Sequence, residues 1–210
     1  NSKEQLLIDV SHELRSPLTR IKLGLVVDSP KEKIEEDVLE MEKMVTSLLE
    51  NYRSDAEFGN INPEMTDIAE LLEETIAEYD LPQRLKFQIP AEEITIMADL
   101  NKMQVVFRNI IDNALKYSSE DVTISIAERA GEVLISFKDK GIGIAPEDLR
   151  YIFEPFYRSD RSRSRRTGGF GLGLSICKKI IDAHKAEIFY SSKVNLGTEV
   201  TLKFRKFIPS

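Results

Sequence analysis

Several common protein classes are excluded by what this chain lacks. It carries one cysteine in 210 residues, so neither an internal disulfide nor a cysteine metal cluster can form within it. That residue, Cys177, sits in an apolar run and reads as a small buried hydrophobe. No apolar stretch approaches the roughly 20 residues needed to span a bilayer, and no secretory signal is present. The segment is therefore expected to make no membrane contact. Basic residues are in the minority, 29 Lys and Arg against 36 Asp and Glu, for a net charge of -7. A general nucleic-acid surface, which rests on positive charge, is excluded on that ground. Neither a GxxxxGK[ST] phosphate loop nor the HRD/DFG set of serine, threonine and tyrosine kinases occurs, so any nucleotide site must use another design. The first residue is not Met and already lies in helical sequence, which suggests a piece of a longer protein.

What is present is a globular composition, 41% hydrophobic and 31% charged, with room for one ordinary domain and a smaller one. Leu7, Val10, Leu14, Leu18, Ile21 and Leu25 recur at intervals of three and four, the seam of an amphipathic helix. Ile34, Val38, Met41, Val45, Leu48 and Tyr52 form a second seam. Between them Asp28-Ser29-Pro30 stops one helix and starts another. Ser29 suits the N-cap, Pro30 the first helical position, and Glu32 completes a capping box. The pattern predicts an antiparallel hairpin, roughly 3–27 and 30–53. One hairpin buries each seam on one side only, so pairing two into a four-helix bundle, as a homodimer, is the physical expectation.

His12 lies off the seam, about 160° from its mean direction at 100° per residue, on an outer face shared with Asp9, Ser16 and Thr19. Pro17 interrupts the same helix within two turns of it, deleting the bond to the Glu13 carbonyl at a cost of about 3 kcal/mol. A bend beside an exposed imidazole suggests function.

Residues 54–66 are polar, hold Gly59 and Pro63, and read as a linker. Helices are then expected over Asp67–Tyr79, from Asp99 to Lys116 and over Leu172–His184. Strands are expected at Leu85–Ile89, Ile94–Ala98, Val122–Glu128, Val133–Asp139, 187–191 and 198–205. Such a mixture fits a two-layer α/β sandwich with a mixed sheet. The resulting division is 1–55 hairpin, 56–66 linker and 67–210 α/β domain, a fold of the α + α/β class.

Four clusters in the second part suit a nucleotide. Asn109, Asn113 and Lys116 share a helix face, offering amide oxygens to a hard cation and a point charge to phosphate; Tyr117 follows. Asp139-Lys140-Gly141-Ile142-Gly143 closes a strand. Phe153 to Arg158 is aromatic and ends in a cation. Gly168-Gly169-Phe170-Gly171-Leu172-Gly173 leads into a helix, whose N-terminal amides can face an anion. Gly197-Thr198 comes last. Arg161, Arg163, Arg165 and Arg166 lie between the third and fourth clusters, and His184 ends a helix as a structural cap.

Ser11-His12-Glu13-Leu14-Arg15-Ser16-Pro17-Leu18 resembles the phospho-acceptor box of HisKA-type sensor histidine kinases, and the later clusters, in order, resemble the ATP-binding domain shared by histidine kinases, gyrase, heat-shock chaperones and mismatch-repair ATPases. The resemblance spans nearly the whole chain. It implies ATP-dependent phosphorylation of His12, with Glu13 polarising the imidazole and Ser16, where the family more often has Thr, serving a phosphatase reaction. It implies Mg²⁺ on Asn109 and phosphates near Asn113, Lys116 and Arg158. Tyr117 would stack on adenine and Asp139 accept from its amino group, with Gly141, Gly143, Gly169, Gly171, Leu172, Gly173 and Thr198 completing the pocket and lid. It further implies transfer to an Asp of a response-regulator receiver domain docking around Ser16, Thr19 and Leu23, in the cytoplasmic portion of a larger membrane-anchored bacterial sensor. Two departures stand out: Phe170 where Thr or a small residue is usual, and Lys185-Ala186 where Gly-Gly is common. A signalling scaffold without kinase activity and an ATPase of the gyrase or chaperone kind remain the rival readings.

Overall fold

The computed structural model describes residues 2–27, 29–39, 41–42, 45, 60–80, 82–90, 93–158 and 171–207, with the side chains of 2–13 outside that description. The first helix, α1 (Ser2–Val26), contains Pro17. It ends where Val27 N–H reaches the Leu23 carbonyl and Ser29 N–H reaches back to Gly24 at 2.8 Å. Residues 31–39 form α2, and 41–42 are also helical. The Pro30 carbonyl accepts the Lys33 and Ile34 amides, so this helix starts one residue later than the capping pattern suggests.

The two helices meet in antiparallel order. Arg20 Nε donates to Asp37 Oδ1 at 2.6 Å, and a Cβ on Gly24 would lie 3.2 Å from Ile34 Cγ1. The covered face runs through Pro17 and Gly24, both buried, and not through the centre of the apolar seam. Leu18, Leu25, Val38 and Val45 remain exposed, Leu25 at 67%. No helix among the described residues is long and apolar enough to cross a membrane.

The α/β part begins earlier than the linker reading had it. Residues 64–66 belong to strand β1 (Glu64–Asp67), which pairs antiparallel with β3 (Thr95–Ala98). The strand has no apolar alternation to mark it, since its one apolar residue, Met65, is exposed and the buried residue is the polar Thr66. Asp67 then caps α3 (Ile68–Ala77), accepting from the Ala69 and Glu70 amides. Strand β2 (Leu85–Gln88) follows, and after β3 comes α4 (Leu100–Tyr117), capped by Asp99. The rest is β4 (Val122–Arg129), β5 (Glu132–Lys138), α5 (Gly173–Ala183), β6 (Glu187–Lys193) and β7 (Gly197–Arg205). Five strands form a mixed sheet in the order β2-β4-β5-β7-β6. Only the β2–β4 pair is parallel.

Alternation decides which side of this sheet the helices cover. Val122, Ile124 and Ile126, Val133, Ile135 and Phe137, and Val200, Leu202 and Phe204 are buried, and the register sets Ile135 beside both Ile126 and Leu202. They share one core with Phe107, Ile110 and Ile111 of α4 and Ile176, Ile180 and Ile181 of α5. The opposite face is polar: Ser136 bonds Thr201, and Lys203 bridges Glu132 and Glu187.

His184 does more than end a helix. Its Nε2 accepts from the Asp99 amide at 3.0 Å while Nδ1 lies 2.7 Å from the Ile180 carbonyl, a pairing only the neutral Nδ1–H tautomer can make. Asp99 meanwhile caps α4 through Lys102 and accepts from Asn62 N. One aspartate–histidine contact thus joins the entry to β1, the start of α4 and the end of α5. Just beyond, Lys185 takes φ of 55°, the left-handed conformation that glycine adopts most easily. His184→Ala strands the Asp99 amide and is expected to lower stability by about 1–3 kcal/mol, measured by urea titration of the two chains.

Candidate nucleotide site

The C-terminal half of α4, the loop 139–144, the aromatic segment 151–158, the start of α5 and the turn before β7 converge on one region. Asn109 turns its amide by donating Nδ2 to the Val105 carbonyl at 2.9 Å. This aims Oδ1 at the first turn of α5, where a Cβ on Gly173 would come within 2.2 Å of it. Any larger residue at 173 must displace that oxygen. The first turn of α5 has no side-chain cap at Leu172, so its amides, which lack partners within the helix, stand beside an amide oxygen. Asn113 and Lys116, half-buried, continue the same face of α4. Lys116 Nζ also lies 4.8 Å from the Tyr117 ring centroid, and that ring is exposed.

At the other side, Asp139 is 8% exposed. Its Oδ1 accepts from Gly141 N at 2.7 Å and Thr198 N at 3.2 Å, leaving Oδ2 as the oxygen available to a ligand. Burial raises the carboxyl pKa above its ordinary value, against the lowering effect of the Gly141 and Thr198 amides. Gly197 makes this approach possible: its φ is 98°, and a Cβ there would fall 2.0 Å from the Asp139 carbonyl oxygen. Gly143 lies against the Lys193 carbonyl, and Ile142 N–H donates to the Tyr117 carbonyl at 3.2 Å, so the loop is fastened to the end of α4.

Aromatic residues hold the segment after this loop. Phe153 meets Tyr190 edge-on at 5.3 Å. The Tyr157 hydroxyl donates to Asp148 Oδ1, which pushes the phenol up to about 12. Phe156 N–H donates to the Gly171 carbonyl at 2.9 Å, with both residues at positive φ. The stretch between them is thereby closed at its base. Half-buried Arg158 marks its start. Gly168, Gly169, Phe170 and the four arginines lie outside the described residues, as do the side chains of His12 and Glu13; the backbone of both is helical within α1. Ser16 and Thr19 are exposed, and Thr19 Oγ1 donates to the Arg15 carbonyl.

The donor set fits Mg²⁺. Among the described residues no group of three His, Cys, Asp or Glu could form a cage, and Mg²⁺ is ordinarily held by one or two protein oxygens together with phosphates and water. The Asn109 oxygen would be one such ligand, and the first-turn amides of α5 beside it suit the phosphate rather than the cation. Ser192, which accepts from Ile144 N at 2.8 Å, gave no sign of this in the sequence, where it falls just past the strand expected at 187–191; β6 extends to Lys193.

Residues 98–207 match the model of the histidine kinase-, DNA gyrase B- and HSP90-like ATPase family, and the chain belongs to that family. It is 32% identical over 218 residues to the sensor histidine kinase YkoH of Bacillus subtilis, covering 97% of this chain and 48% of that protein. It is 33% identical over 223 residues to the sensor protein SrrB of Staphylococcus aureus, covering 97% and 38%. The chain thus spans about half or less of the length of these relatives. Among solved structures, the histidine kinase AdeS of Acinetobacter baumannii superposes with a TM-score of 0.70 at 25% identity, over 92% of this chain and 97% of that one. The histidine kinase ThkA in complex with the response regulator TrrA shares the fold, at a TM-score of 0.77 and 24% identity, over 99% of this chain and 64% of that one.

Because the folded state raises the Asp139 pKa, it binds that proton more tightly than the unfolded chain does. The buried charge therefore costs stability at pH values above the folded pKa, and the cost is relieved as pH falls through it. Asp139→Asn keeps an acceptor for the two amides, removes the charge and turns an NH₂ toward the ligand. It is expected to leave stability at neutral pH equal or higher while ATP affinity falls about tenfold or more, measured by thermal melts and titration calorimetry.

Proposed function

We propose that this chain is the catalytic core of a sensor histidine kinase, which binds ATP with Mg²⁺ and phosphorylates His12. The observation that carries this reading is the pairing of an acceptor carboxylate, Asp139, with an amide oxygen set against an uncapped helix N-terminus, Asn109 beside α5. A base amine suits the first and a phosphate-bound cation the second. In this reading Asp139 Oδ2 accepts from the adenine amino group and Tyr117 covers the ring. Asn113, Lys116 and Arg158 meet phosphate oxygens, and Gly169, Gly171, Leu172, Gly173 and Thr198 shape the pocket and its lid. Asn109 would hold Mg²⁺, which would supply charge neutralisation for the triphosphate.

The protein's own contribution is largely positional, since phosphoryl transfer passes through a loose transition state. A neutral imidazole nitrogen of His12 attacks the γ-phosphorus in line. The bond to the β,γ-bridging oxygen breaks, ADP leaves, and the imidazole gives up its ring proton to water. Glu13 accepts the hydrogen bond that orients the ring. The division into hairpin 1–55, linker and ATP-binding domain lets one part bring nucleotide to the other. Phospho-His12 then passes its phosphoryl group to an Asp carboxylate of a response-regulator receiver domain seated on exposed Ser16, Thr19 and Leu23, with the Ser16 hydroxyl positioning the water that, in a separate phosphatase reaction, hydrolyses the regulator's phospho-Asp to inorganic phosphate. The solved complex of ThkA with TrrA supports that choice of partner, and the names of the longer relatives support placement within a larger sensor protein, whose anchoring in a membrane is part of this proposal.

Two copies are proposed to pair through the uncovered part of the seam, Leu18, Leu25, Val38 and Val45, giving a four-helix bundle. Leu25→Lys puts a charge in that interface and is expected to shift the chain from dimer to monomer at micromolar concentration, read by light scattering. For the chemistry, label from γ-labelled ATP is expected to be acid-labile and alkali-stable, absent in His12→Ala and reduced about a hundredfold in Asn109→Ala. Label that survives in His12→Ala, or steady ATP hydrolysis with no phosphoprotein, would overturn the kinase reading.

A further inference from the structure

We infer that Ser192 is a positioning residue for base recognition, acting through the turn that supplies an amide to Asp139; the inference rests on the assignment of Asp139 to the adenine amino group. Ser192 lies in β6, and its hydroxyl sits between three groups from two segments. Ile144 N–H donates to it at 2.8 Å, the Gly197 carbonyl lies at 3.0 Å, and Thr198 Oγ1 at 2.8 Å. A serine hydroxyl has one proton and two lone pairs. The Ile144 amide can only donate and the Gly197 carbonyl can only accept. The serine proton therefore goes to Gly197, and the Thr198 hydroxyl donates to the remaining lone pair. Every capacity of the group is used.

The two segments joined this way are the two that hold Asp139. From the loop, Gly141 N–H donates to Oδ1; from the turn, Thr198 N–H donates to the same oxygen. Backbone bonds run alongside, Asp139 N to Thr198 O at 2.9 Å and Asn195 N to Ile142 O at 2.7 Å. Ser192 adds a side-chain tie at the far end of the loop, beyond Gly143. Removing its hydroxyl strands the Ile144 amide and releases the Thr198 side chain to rotate, so the turn loses one of the restraints that aim its amide at Asp139. The carboxylate then keeps its charge but not its direction, and the consequence falls on the group that Oδ2 receives.

This separates a positioning role from a general structural one. Binding of ATP and of purine riboside triphosphate, which lacks the 6-amino group, is to be measured by calorimetry on the whole chain, its Ser192→Ala variant and Ser192→Thr. The unaltered chain is expected to favour ATP. Ser192→Ala should weaken ATP about tenfold and leave the deaminated analogue within about twofold, erasing most of the preference, and Ser192→Thr should restore it. If Ser192→Ala weakens both nucleotides alike, or retains the full preference, the inference is wrong while the site stands. If the unaltered chain shows no preference for the amino group, the Asp139 assignment itself falls, and the role of Ser192 with it.

Discussion

Burying a carboxylate costs several kcal/mol unless donors replace its water, and for Asp139 two amides drawn from separate segments offset part of that cost. Much of the geometry around the site follows. For Gly141 and Thr198 to reach the same oxygen, the loop after β5 and the turn before β7 must lie almost in contact. That contact leaves no space for a side chain at Gly197, whose φ of 98° is itself a glycine conformation. The loop is then close enough to α4 for Ile142 to bond the Tyr117 carbonyl. A polar group whose burial costs stability at neutral pH also locates three elements of the layer relative to one another.

A second constraint lies at the start of α5. Helix N-terminal amides need partners, and the N-cap residue here, Leu172, offers no side-chain cap. The neighbouring Asn109 turns its NH₂ toward the Val105 carbonyl, which leaves its oxygen on the side of the helix. What remains is an acceptor oxygen and a set of donors side by side, an arrangement completed by a cation–phosphate pair better than by either ion alone. The closure of the chain between Phe156 and Gly171 returns the intervening segment to this same point. The aromatic contacts of Phe153 and Tyr157 fix where it departs.

The helical pair poses the opposite problem. Pro17 and Gly24 let the two helices approach closely, and the face they cover is turned away from the middle of the seam. Leucine and valine side chains therefore stay in water, which a lone hairpin tolerates poorly. Periodicity had located the apolar residues correctly; which of them would meet the neighbouring helix depended on two small or rigid residues that periodicity treats as interruptions.

The sequence by itself determined the local structure of the α/β part. Asp67 and Asp99 announce helices because a carboxylate before an apolar run satisfies free amides, and the strands alternate because one face of the sheet is covered and the other wet. It also carried the order of polar and glycine clusters by which the family could be recognised. Only the tertiary structure decided that β1 exists, since four mostly polar residues form a strand only when β3 offers them a partner. It alone showed His184 completing the cap of α4 through Asp99, and Ser192 tying the loop that holds Asp139. Those bonds join residues 85 and 48 positions apart. A hydrogen bond needs two groups within about 3 Å, and no local pattern says which distant group will arrive there.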